Sequence, residues 1–113
     1  MHELSIAQSI VTLVEEQANF HHASVIEEVE LEIGRLAGVE LRTLEFALES
    51  AVKGTIMEKA RIVRHYIDGE GFCCECERTF PQESLFSPCP YCGSWLINLM
   101  RGKELRVKSL VVK

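Results

Sequence analysis

Cys73-Cys74-Glu75-Cys76 and Cys89-Pro90-Tyr91-Cys92-Gly93 hold two Cys-x-x-Cys pairs with 12 residues between them. In each pair a tight turn aims both sulfurs at one point. Two such turns facing each other complete the tetrahedron that zinc accepts, with Zn–S near about 2.3 Å. Pro90 stiffens its turn, and Gly93 lets the backbone fold closely past the metal. The ordinary alternative, a pair of disulfides, suits an oxidising compartment; a doubled pairing in a reducing one favours metal. Cys73, Cys76, Cys89 and Cys92 are therefore the expected Zn(II) ligands. Cys74 would leave a one-residue gap to Cys76, a poorer chelate, and is read as a bystander. Four sulfur ligands leave no open position for a substrate, so the expected zinc is structural rather than catalytic.

Outward from this cluster the chain alternates helix and strand signals. On the amino-terminal side, Leu4, Ile6, Ala7, Ile10, Val11, Val14 and Ala18 recur at helical spacing, predicting an amphipathic helix from about residue 4 to about 20. Glu3 lies near its start, where the helix dipole favours negative charge. Val29, Leu31 and Ile33 then alternate with Glu28, Glu30 and Glu32, a strand with one wet face. Gly34 and Gly38 bracket a loop. A second helix is expected from Val39 to Val52, carrying Leu41, Leu44, Phe46 and Leu48 and closed by Lys53-Gly54. Residues 60–67 read as a second strand, and Gly69 and Gly71 as a hinge into the cysteine segment. Beyond the cluster, Trp95–Met100 and Leu105–Val112 read as two strands joined by Arg101-Gly102-Lys103. The last is basic and apolar and is suited to return to the first sheet. The predicted class is α+β: two helices on a small mixed β-sheet, with a four-cysteine zinc-ribbon domain inserted before the last strand. The corresponding division is 1–70 with 101–113 as one domain and 71–100 as the ribbon.

At 113 residues, 47% of them apolar, the chain can bury a real core. No apolar run approaches the roughly 20 residues that span a bilayer, so no membrane role is expected. Met1-His2-Glu3-Leu4 has neither a basic n-region nor a cleavage site, and the expected compartment is the cytoplasm. The net charge of −5 divides into −7 over residues 1–70 and +2 over 71–113. Neither part concentrates the basic face that a phosphate backbone requires, so nucleic acid is not an expected partner. None of the four histidines sits in a zinc-protease or deaminase motif, and there is no Gly-rich phosphate loop. The chain does not read as an enzyme.

Most histidines at position 2 are solvated surface, but Met1-His2-Glu3 offers a specific chemistry. A free amine, the intervening amide nitrogens and an imidazole can wrap one divalent ion in a plane of nitrogens, which suits Ni(II) or Cu(II) rather than Zn(II). His21 and His22 fall where the first helix should end, a position that favours cationic or hydrogen-bonding side chains. His65 lies within a strand and reads as a solvated or partner-facing residue. Glu27, Glu28, Glu30 and Glu32 resemble a metal-gathering patch, but three of them form the polar face of a strand, which explains them better.

Taken from end to end, the sequence resembles the HypA/HybF family of hydrogenase maturation nickel metallochaperones. The residues that carry the resemblance are Met1-His2-Glu3, the loop Ile33-Gly34-Arg35-Leu36-x-Gly38-Val39, the helix end Lys53-Gly54-Thr55, and the two cysteine pairs closing with Cys89-Pro90-Tyr91-Cys92-Gly93. The resemblance implies a chaperone that delivers Ni(II) to the large subunit of [NiFe] hydrogenase, or to urease, together with a nickel-binding GTPase accessory protein. It implies His2 as the essential nickel ligand, with Met1 and Glu3 supplying backbone nitrogens, and structural zinc on Cys73, Cys76, Cys89 and Cys92. Some members carry a histidine after the second cysteine pair; here that stretch is Ser94-Trp95-Leu96-Ile97-Asn98. Two other readings stand beside this one. A zinc-ribbon interaction module would leave His2 incidental. An iron-bearing electron carrier is the other, since a ribbon closing Cys-Pro-x-Cys-Gly is also similar to rubredoxin and sulfur geometry alone does not separate the two metals.

Overall fold

Helix α1 runs from Glu3 to Phe20 in the computed structural model, which describes residues 3–113. It buries Ala7, Ile10, Val11, Val14 and Ala18 along one face, the stripe expected from three- and four-residue spacing. Its end is a Schellman turn. The Ala23 N–H donates to the Ala18 carbonyl at 2.8 Å and the His22 N–H to the Asn19 carbonyl at 3.1 Å. His22 takes the left-handed position at φ 55 that glycine usually fills.

Strand β1, Ile26–Gly34, buries Val29, Leu31 and Ile33 and leaves the intervening glutamates partly exposed. Helix α2, Leu41–Ala51, starts at an acidic N-cap: the Glu40 carboxylate accepts from the Arg42 and Thr43 N–H groups. Leu44, Ala47 and Leu48 are its buried residues. Phe46 falls off that stripe and is 71% exposed, so it is not the core residue that a run of apolar letters suggests. Strand β2, Arg61–Ile67, follows, and the sheet order places β1 between β2 and the carboxy-terminal strand β6, Leu105–Val112.

Hydrogen bonds near the strand ends set the directions. Arg61 reaches Glu28 while the Arg35 N–H donates to the Ile67 carbonyl, so β1 and β2 run parallel with α2 as the crossover that parallel strands need. The Lys113 N–H donates to Val25 and the Gly34 N–H to Glu104, so β6 runs antiparallel to β1. The sheet is mixed, as expected.

A second sheet has the order β4-β3-β5, with β3 at Glu70–Cys73, β4 at Thr79–Pro81 and β5 at Ile97–Arg101. Both pairings are antiparallel, with Gly71 opposite Phe80 on one side and Leu99 on the other. Gly71 is therefore a buried strand residue and not a hinge. A Cβ there would stand 2.3 Å from Gln82 Oε1 and 2.9 Å from the Phe80 ring, so a larger residue would have to displace the buried Gln82 amide. Gln82 is held by its Nε2, which donates to the Ser84 and Leu85 carbonyls at 2.8 and 3.3 Å.

The chain divides into two compact units. One comprises the residues up to Leu31, Val39–Arg64 and Arg106–Lys113; the other comprises Glu32–Gly38 and His65–Leu105. In the first, α1 packs on α2, and their buried faces, Ile26, Val29 and Leu31 of β1, and Met57 form an apolar core. Each large side chain removed from water there contributes roughly 1.5–3 kcal/mol. The second contains β3, β4, β5 and all five cysteines, and its small core is Cys73, Phe80 and Cys89 with Cys76 and Ile97 against them. Among the described residues no helix is long and apolar enough to cross a membrane.

Candidate metal centre

The two cysteine pairs fold into two equivalent knuckles. In the first, the Cys73 N–H donates to the Arg78 carbonyl and the Glu77 N–H to the Cys73 carbonyl, each at 2.9 Å. In the second, the Cys89 N–H donates to the Ser94 carbonyl at 2.8 Å and the Gly93 N–H to the Cys89 carbonyl at 2.9 Å. The offsets match residue for residue. Both knuckles also need a left-handed residue just after the second cysteine: Gly93 at φ 78 and Glu77 at φ 58. The glycine is legible in the sequence, whereas nothing there singles out the glutamate. Its only signal is that it stands as far from Cys73 as Gly93 does from Cys89.

The four sulfurs of Cys73, Cys76, Cys89 and Cys92 lie within 4.8 Å of one another. Across the knuckles, Cys73 Sγ stands 3.5 Å from Cys92 Sγ and Cys76 Sγ 3.6 Å from Cys89 Sγ. These distances far exceed the about 2.0 Å of a disulfide bond. A tetrahedral zinc with Zn–S of about 2.3 Å sets its sulfurs about 3.8 Å apart, a value between the two short cross-knuckle distances and the 4.8 Å that bounds all the pairs, so the cluster has the size such an ion needs. Cys73 and Cys89 are buried, Cys76 half-buried and Cys92 exposed. Cys74 is exposed and outside the cluster, in keeping with its poor chelate spacing.

Backbone N–H groups aimed at sulfur prepare the site for thiolates. The Cys76 N–H, 3.5 Å from Cys73 Sγ, holds the Cys73 thiol down at about 7 against the pull of burial. Burial pushes the Cys89 thiol up, but the Cys92 and Tyr91 N–H groups outweigh it and the net shift is downward. Burial, with the neighbouring sulfurs of Cys73 and Cys89, pushes Cys76 up to about 12. At Cys92 the Ser94 N–H lowers the thiol, and the sulfur of Cys73 together with burial outweighs it. Four thiolates cannot share so small a volume without a cation, and a divalent ion is the group this donor set fits.

The amino-terminal candidates fall differently. Met1 and His2, both expected nickel ligands, lie outside the described residues. Glu3 opens α1, and its carboxylate accepts the Glu40 N–H at 3.0 Å. That N–H lowers the Glu3 carboxyl below its ordinary value; the Thr43 and Arg42 N–H groups do the same for Glu40. The pair ties the start of α1 to the N-cap of α2. Sequence reasoning misses Glu40, because a glutamate ahead of a helix usually reads as surface charge. Neither His21 nor His65 joins the cysteine cluster.

Over residues 1–112 the chain matches the family model described as "Hydrogenase/urease nickel incorporation, metallochaperone, hypA". The chain belongs to the HypA family. Among its relatives, the hydrogenase maturation factor HypA of Parabacteroides distasonis is 68% identical over 113 residues, covering 100% of this chain and 98% of that protein. The hydrogenase maturation factor HypA of Geobacter metallireducens is 41% identical with full coverage of both. The solution structure of the Ni metallochaperone HypA from Helicobacter pylori is similar at a TM-score of 0.70 and 27% identity, over 99% of this chain and 97% of that one. A further solution structure of a HypA protein gives a TM-score of 0.71, also at 27% identity. HypA proteins are maturation factors rather than catalysts, as expected from the absence of a catalytic motif in the sequence.

Proposed function

We propose that this HypA-family chain binds Ni(II) at its amino terminus and delivers it to [NiFe] hydrogenase during maturation, with urease as the other acceptor, while Zn(II) holds the four-cysteine knuckles. His2 supplies the imidazole, and Met1 and Glu3 supply backbone nitrogens. Nickel passes by way of a nickel-binding GTPase accessory protein to the hydrogenase large subunit, in the cytoplasm. Residues 1–70 with 101–113 form the nickel-binding part and 71–100 the zinc-binding part.

The observation that carries this reading is the match to the nickel-incorporation family from residue 1 to residue 112, which takes in Met1-His2-Glu3. Support also comes from Glu3. Its carboxylate is engaged at Glu40, which favours its backbone nitrogen over its side chain as the ligand. The two metals are then divided by chemistry. Planar nitrogen donors suit nickel, four enclosed thiolates suit zinc, and only the nitrogen site consists of few, terminal, acid-sensitive groups from which an ion can be handed on.

The test is a nickel titration of untagged protein with its native terminus. His2→Ala is expected to abolish nickel binding and leave zinc content unchanged. Adding Gly-Ser before Met1 turns the terminal amine into an amide without touching a side chain. That extension is expected to weaken nickel at least tenfold, about 1.4 kcal/mol. An extended protein that binds nickel as the native one does would overturn the terminal-amine chelate.

A further inference from the structure

Strand β6 occupies the edge of the first sheet, and among the described residues no strand pairs with its other side. Such an edge presents backbone donors and acceptors to any extended chain. Beside it, α1 and β6 enclose a groove of about 540 Å³ whose lining includes Leu13, Val14 and His21 of the helix and Val107, Leu110 and Val112 of the strand, with Lys108 among its polar members. Leu13 is 43%, Val111 45% and Val112 39% exposed. The strand has no acidic residue; its Arg106 is already engaged within the chain, and Lys108 and the following Lys113 are its exposed lysines. Lysine on an edge strand also guards against aggregation. A guard, however, does not account for an apolar groove and two exposed valines at the same edge.

The chain itself displays what pairs with β6. On its inner side lies β1, in which Glu28, Glu30 and Glu32 alternate with Val29, Leu31 and Ile33, and the Glu30 carboxylate accepts the Ser109 hydroxyl at 3.0 Å. We infer that the free edge of β6 docks an extended segment of a protein partner with the same alternation of acidic and apolar residues. Backbone hydrogen bonds add it to the sheet, its acidic side chains lie on the face that carries Lys108, and its apolar side chains lie on the opposite face, beside Val107. This is strand addition, in which the main chain supplies affinity and alternate side chains supply selectivity. The inference rests on the edge strand and its charge, independently of the nickel reading.

The probe is a capped peptide with the sequence of residues 26–34, added to full-length zinc-loaded protein at low salt. Amide hydrogen exchange locates it and fluorescence anisotropy measures it. Expected is protection of β6 amides with β1 protection unchanged, binding weakened at least tenfold by Lys108→Glu, and loss of binding for a peptide with lysine in place of glutamate. Lys108 is exposed, and circular dichroism checks that the variant keeps its fold. Equal binding of the lysine peptide, or no binding up to millimolar peptide, overturns the inference. So does loss of β1 protection, which would mean strand exchange, or concentration-dependent self-association through β6 that excludes the peptide, which would make a second copy the occupant.

Discussion

Glu77→Gly should tighten zinc, and Gly93→Ala should loosen it, because the two residues hold the same place in two equivalent knuckles. Both are left-handed, at φ 58 and φ 78. A side chain in that region costs roughly 1–2 kcal/mol, of which the greater unfolded-state freedom of glycine offsets about 0.5–1 kcal/mol. The net is about 1 kcal/mol, a factor of about five in an equilibrium constant. A Cβ on Gly93 would meet nothing within 4 Å, so its penalty is conformational and contains no clash. Metal binding and knuckle folding are one equilibrium, so the strain appears directly in apparent zinc affinity. Competition with a chromogenic zinc chelator at fixed pH is the assay, with an expected fivefold gain for Glu77→Gly and a fivefold loss for Gly93→Ala. Glu77→Gln removes the charge and keeps the strained backbone, and is expected to move affinity by less than about twofold. If both glycine-site variants shift affinity in the same direction, or if Glu77→Gln alone reproduces the gain, the equivalence of the knuckles is the wrong explanation.

Proton release on zinc binding should fall as pH rises through about 7, where Cys73 becomes a thiolate in the free protein, without reaching zero, because Cys76 near 12 and the raised Cys92 still hold protons. Calorimetry in buffers of different ionisation enthalpy counts those protons, and a count that does not change with pH would contradict the assignment. Glu3 and Glu40 have folded-state values below the ordinary 4.5, so their contribution to stability is present above that value and lost as pH falls below it. A Glu3→Gln, Glu40→Gln double variant should melt lower than the native protein at neutral pH and show a flatter acid limb; parallel melting curves across the acid range would discount the pair. Gly34→Ala should cost about 2–4 kcal/mol in a urea melt, since two backbone hydrogen bonds worth roughly 1 kcal/mol each are strained by a steric clash. The added Cβ would stand 2.0 Å from the Gly102 carbonyl oxygen and 2.7 Å from the Glu104 nitrogen, where Gly34 N–H bonds Glu104 and Leu36 N–H bonds Gly102. A loss below about 1 kcal/mol would mean that the strands can part without penalty.

The elements most readable from sequence were those with one buried face. The α1 stripe and the Val29-Leu31-Ile33 alternation each declare a period, and burial follows it from Ala7 to Ala18 and along the strand, while Leu4 at the head of the same stripe is exposed. Tertiary contact decided the rest. Gly71 reads as a hinge because glycine commonly is one. Its actual cause is the Gln82 amide lying where a Cβ would be, which no local pattern announces. Trp95–Met100 and Leu105–Val112 read as two joined strands of which the last is suited to return to the first sheet, and it does: β6 joins β1, while the partner of β5 is β3, which no local pattern names. Gly102 between β5 and β6, at φ 119, allows the chain to leave one sheet for the other. Phe46 shows the reverse failure: an apolar letter at a solvent position, because the helical stripe passes through Leu44, Ala47 and Leu48.

The two proposed metal sites differ in legibility for a physical reason. Zinc on four cysteines depends on side chains at short spacing, so the ligand set can be written from the sequence, and the structure adds the left-handed Glu77 and the N–H groups that stabilise sulfur charge. A terminal nitrogen chelate depends on backbone atoms that every protein possesses, and only the neighbouring imidazole marks it. Its surroundings are marked even less. The link between Glu3 and Glu40 joins residues 37 apart, and it fixes where the first turn of α1 starts relative to the N-cap of α2. A carboxylate accepting that N–H loses its grip when protonated, and an imidazole–amine chelate also weakens as protons compete for its nitrogens. The Glu3–Glu40 link should fail only in the carboxylate range, well below the pH at which a histidine protonates. Acidification should therefore release nickel while α1 is still held in place, and the order of those two events separates loss of ligand from loss of fold.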